Sequence, residues 1–82
     1  MDIQKVAAAH GEMRDCYRLL AVGIQVRNDA EARLLADEPF PSNHDWMEAA
    51  KEYAAITAEV YRLQARIGIL KGRIHFEAQT VR

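Results

Sequence analysis

Apolar positions in the second half of the chain recur at alternating spacings of three and four: Trp46, Ala49, Tyr53, Ile56, Val60, Leu63, Ile67, Leu70 and Ile74. These are unbroken heptads with an apolar residue at both seam positions, the pattern of a helix that packs along another helix in coiled-coil fashion. The residues just before the first seam position run Asp45, Glu52, Glu59, Arg66 and Arg73, so acid gives way to base along the helix. An antiparallel neighbour, whether the first arm or a second copy, then sets opposite charges across the seam.

The first half is less regular but more apolar. Nine of the eleven residues from Cys16 to Val26 are apolar or glycine, and the interruptions, Arg18 and Gln25, lie on one narrow line with Arg14. A helix so patterned is covered over most of its circumference. One neighbouring helix covers one stripe, so part of Leu19, Val22 and Val26, or of Tyr17, Leu20 and Ile24, needs a second molecule.

Pro39 and Pro41 form the one cluster of breakers, close to the midpoint. Proline pushes the residue before it out of the α region, so the pattern predicts a helix over about 2–36, a loop over about 37–43 and a helix over about 44–79. Ser42 or Asn43 caps the second helix; Ser42 with Asp45 and Asp45 with Glu48 are both variant capping boxes. Gly11, after His10, either breaks the first arm or is absorbed into it. Two arms of equal length, each roughly 50 Å at 1.5 Å per residue, predict an all-α fold. A single domain over 1–82 forms an antiparallel two-helix hairpin, coiled-coil-like, that dimerises into a four-helix bundle.

Composition supports this reading. Fourteen Ala against four Gly, two Pro, two Thr and one Ser leave too little turn-forming material for a sandwich or barrel. Cys16 is the single cysteine, so no internal disulfide can form, and a chain of 82 residues needs another way to enlarge its core. A second copy is the expected way. The start, Met1-Asp2-Ile3-Gln4-Lys5, lacks the basic and apolar runs of a signal peptide, and the stretch from Cys16 to Val26 is about half a membrane span. A soluble, cytoplasmic protein without membrane contact is expected.

The back of the second helix carries Ala54, Ala55, Ala58, Tyr61, Ala65, Gly68, Ile69, Gly72 and Phe76, an unusually apolar dress for a surface. Gly68 and Gly72 lie four apart on a line with Ala65, where they allow close approach of another backbone or else mark a kink or a frayed end. The candidate dimer or partner interface is therefore Leu19, Val22, Val26, Tyr61, Gly68, Ile69, Gly72 and Phe76.

The net charge of −1 excludes a dedicated nucleic-acid binder's electrostatic footprint. Its distribution is uneven. Residues 1–28 hold four bases and three acids, residues 29–52 two and seven, and residues 53–82 five and two, giving +1, −5 and +3. In a hairpin the loop end is acidic and the open end basic, which aligns two copies head to tail or steers the open end to an acidic partner.

Reactive chemistry is sparse. His10 and His75 fall near the open end, with Glu12 and Glu77 two residues further on, but that offset does not place metal ligands on one helical face. Cys16 sits in an apolar centre, as a core thiol does, and Ser42 is a cap. Asp45, Glu48 and Glu52 complement the helix dipole. No catalytic residue, metal or cofactor is expected, and an enzyme is not.

The function expected is a non-enzymatic protein–protein interaction module, a small adaptor, co-chaperone or inhibitor of the kind phages and mobile elements encode. The shape is similar to the helical-hairpin co-chaperones of type III secretion needles, in architecture and without a shared motif. The alternative is a small dimeric RNA- or DNA-binding hairpin, whose phosphate or acidic-partner contacts would be Arg14, Arg18, Arg62, Arg66, Lys71 and Arg73.

Overall fold

The computed structural model describes residues 3–36 and 40–79. Helix α1 runs Ile3–Leu35 and helix α2 runs Asn43–Gln79, and among the described residues there is no strand. The two pack antiparallel into a rod of 63 × 16 × 14 Å. The core of the expected loop, 37–39, lies outside the described residues, as do both extreme ends.

Ser42 starts α2. Its Oγ accepts the Asp45 backbone N–H at 3.1 Å, and its carbonyl oxygen accepts the Trp46 N–H at 3.2 Å. This decides between the two capping boxes, because Ser42 stands three residues before Asp45 and satisfies an N–H that the first turn would otherwise leave unpaired. Beside it, the Arg33 guanidinium lies over the Phe40 ring at 5.3 Å, tying the end of α1 to the loop. Gly11 does not interrupt α1, and α2 runs unbroken through Gly68 and Gly72.

The seam read from α2 is the one that faces α1. Ala49, Val60, Ile67 and Leu70 are buried, and Tyr53, Ile56, Leu63 and Ile74 half-buried. Trp46 departs from the expectation and is 51% exposed, because at its level α1 has already ended.

The regularity of α1 is a finding of the structure. Val6, Ala9, Met13, Cys16, Leu20, Gly23, Arg27, Ala30 and Leu34 alternate at three and four, and every one is buried or half-buried. This seam escapes a hydrophobicity reading because it is made of small residues with an arginine among them, while the larger Leu19, Val22 and Val26 stand beside it. Small faces large across the interface. A Cβ built on Gly23 would lie 3.2 Å from Cγ2 of Val60, itself fully buried. The tight approach between the helices is therefore at Gly23, whereas a Cβ at Gly68 or Gly72 would meet nothing within 4 Å in the hairpin.

The core is small. The buried apolar residues are Ala9, Cys16, Leu20, Ala49, Val60, Ile67 and Leu70, and the largest fully buried side chains are Leu70 and Val60. Among the described residues, one side-chain polar atom, Thr57 Oγ1, is buried without a hydrogen-bond partner.

Two stability changes follow. Thr57→Val replaces an unpaired hydroxyl with a methyl of the same shape and should raise stability by about 1 kcal/mol, read as a higher urea midpoint at unchanged slope. A lower midpoint would mean that the hydroxyl is paired. Gly11→Ala, with nothing within 4 Å of its new Cβ, should gain about 1 kcal/mol of helix propensity. Gly23→Ala should show no such gain, because the stiff Val60 must give way; equal gains at both would refute the tight contact.

Candidate interaction surfaces

Two contacts orient the rod. On one side Arg66 forks onto Glu12, its Nη2 donating to Oε1 at 2.8 Å and to Oε2 at 2.9 Å, and its Nε to Oε1 at 3.1 Å. On the other the Lys71 ammonium lies 5.4 Å from the centre of the Tyr17 ring. These define an ion-pair side and a tyrosine side. Every other residue can be placed on them by turning about 100° per residue from the seam.

The ion-pair side carries charge on α2: Glu48, Glu52, Glu59, Arg62, Arg66 and Arg73. Arg62 Nη1 pairs with Glu59 Oε2 at 2.8 Å. Against this, α1 contributes the stripe Leu19, Val22 and Val26, which are 59%, 63% and 43% exposed. Two grooves open here. One of about 480 Å³ lies near the open end between Val6, Ala9, Glu12, Arg73 and Ile74, and one of about 210 Å³ lies near the loop between Val26, Arg33, Glu52 and Ile56.

The interface expected from the sequence is divided by the structure. Leu19, Val22 and Val26 belong to the ion-pair side, whereas Tyr61 and Gly68 lean to the tyrosine side. Ile69, Gly72 and Phe76 point away from α1, and all five of these α2 residues are exposed. The set therefore forms two surfaces. The tyrosine side holds Tyr17 and Ile24, from the second of the two stripes expected to need another molecule, with Ala21 beside them on α1 and Ala50, Thr57, Tyr61 and Gln64 on α2. That this is the less charged of the two sides is visible only once each seam is known.

The six cations do not gather. Arg14 and Arg18 are exposed on the outer face of α1, Arg66 and Arg62 are held by carboxylates, Arg73 borders the open-end groove, and Lys71 sits over Tyr17. His10 and His75 are both exposed and Cys16 is buried. Among the described residues no group of three or more His, Cys, Asp and Glu could hold a metal ion, and no helix is long and apolar enough to cross a membrane.

The Glu12–Arg66 fork ties one helix to the other, but both partners are two-fifths exposed, at 44% and 39%. Water and salt weaken such a pair, so Glu12→Gln should cost under about 1 kcal/mol. A double-mutant cycle with Arg66→Gln should give a coupling that shrinks at 1 M salt, where the screening length is about 3 Å. A loss above about 2 kcal/mol would mean that the fork holds the hairpin together.

Comparison of the chain with protein-family models, with curated proteins and with solved structures found no match, so its surfaces carry the functional argument.

Proposed function

We propose that this chain is a non-enzymatic protein–protein interaction module: a cytoplasmic helical hairpin that dimerises into a coiled-coil-like four-helix bundle and binds a partner protein through its helical faces. The observation that carries the reading is the balance of apolar side chains. Ile3, Tyr17, Leu19, Val22, Val26, Leu35, Trp46, Met47, Tyr61, Ile69 and Phe76 are all at least two-fifths exposed, against a buried core of seven mostly smaller residues. Isolated exposed hydrophobes are ordinary, but contiguous stripes on a rod are the mark of surfaces that are covered in use. The roles that suit it are those of an adaptor, co-chaperone or inhibitor of the phage-encoded kind, which act by occupying a surface.

In this reading the Leu19, Val22 and Val26 stripe, framed by Glu59, Arg62 and Arg66, is a partner site of ordinary anatomy: an apolar centre with a charged rim. The nucleic-acid alternative is weaker because a phosphate backbone must compete with Glu12 for Arg66 and with Glu59 for Arg62.

Affinity capture from native host lysate tests the two readings together. The parent chain should retain a specific protein, and Val22→Glu should lose it at unchanged helicity. Retention of RNA or DNA instead, falling steeply with salt and with Arg14→Gln and Arg18→Gln, would favour the alternative. No retained protein, or one indifferent to both Val22→Glu and Ile69→Glu, would contradict the proposal.

A further inference from the structure

Resting on the interaction-module reading, we infer that the tyrosine side is where a second copy of this chain docks, head to tail, with α2 lying antiparallel on α2 of the other copy about Tyr61. Three observations lead there.

The first is area. A folded monomer of 9.3 kDa is expected to expose about 5,000 Å² from the scaling of surface with mass, so the 6282 Å² found here is an excess of roughly 1,300 Å². A standard interface covers about 800 Å² per partner, which one side of this rod can supply.

The second is charge. The ion-pair side presents six charged residues from α2 alone, and covering them would strip each of water. On the tyrosine side the formally charged residues are Arg14 at its outer edge, Lys71, already stacked on Tyr17, and Glu31 near the loop. Desolvating that side costs far less. The ends decide direction, since residues 29–52 carry −5 and residues 53–82 carry +3, which opposes loop end to loop end and favours loop end on open end.

The third is fit. Packing two hairpins by one side, head to tail, puts the two-fold axis across the helices, so that each helix lies on its own counterpart. The midpoint of Asn43–Gln79 is Tyr61. With the axis there, the spacing sets Ala54 opposite Gly68 and Met47 opposite His75 of the second copy. Gly68, whose missing Cβ faces open space in the hairpin, thereby gains a reason to be glycine: against Ala54 of the second copy it lets the two α2 backbones approach closely. The exposed Trp46, which α1 is too short to cover, is covered by the other copy's open end. The Leu19, Val22 and Val26 stripe is left outside the dimer, available to a partner protein.

Single cysteines introduced into the full chain after Cys16→Ala test this. Under mild oxidation Tyr61→Cys should form a covalent dimer, because the axis brings the position against itself, and Val22→Cys should not. Gly68→Phe should halve the mass measured by sedimentation at unchanged helicity. A dimeric mass with linkage through Val22→Cys, or with no linkage through Tyr61→Cys, overturns the assignment of this side while leaving the interaction-module reading intact. A monomeric parent chain overturns the dimer in both.

Discussion

Two straight helices can touch along only one line, and the rest of this structure follows from that constraint. The line is well made: small residues on α1 meet Val60, Ile67 and Leu70 on α2, and Gly23 lets the backbones close on the Val60 methyl. Yet such a contact seals only its centre, and the largest fully buried side chains are Val60 and Leu70. Full burial of a side chain of this size contributes about 1.5–3 kcal/mol, while every ordered residue of the rod carries a conformational-entropy cost of about 1–2 kcal/mol. A longer rod does not escape this limit, because core and surface then grow together. A second layer does escape it.

Much of this was legible in the chain. The α2 seam was, because its positions hold large apolar residues, and so was the start of α2, because Ser42 caps it. The α1 seam was not, since Ala9, Gly23, Arg27 and Ala30 contribute little to a hydrophobic count although they occupy the contact line. Leu19 and Val22 dominated the pattern and lie outside that line. The glycine that serves close packing within the hairpin proved to be Gly23, hidden in an apolar run, whereas Gly68 and Gly72 drew notice for interrupting a helix back and face open space.

Of the candidate sites, the individual residues were legible but their grouping was not. Which stripe of one helix lies beside which stripe of the other depends on the seam of both, and one seam was unread. Once Glu12–Arg66 and Tyr17–Lys71 fix the two sides, charge and apolar area separate. One side is rimmed with ion pairs around three exposed aliphatic residues, and the other carries fewer charges. In the proposed reading, a rod with unlike sides holds a second copy with one and meets another protein with the other.

The central claim is that the hairpin is half of an assembly, with folding and association coupled. The most direct measurement is the thermal midpoint of helicity as a function of protein concentration. If assembly stabilises the fold, the midpoint rises steadily over a hundredfold increase in concentration, by mass action. A midpoint that does not move with concentration would show that one hairpin is stable alone, and would contradict the account.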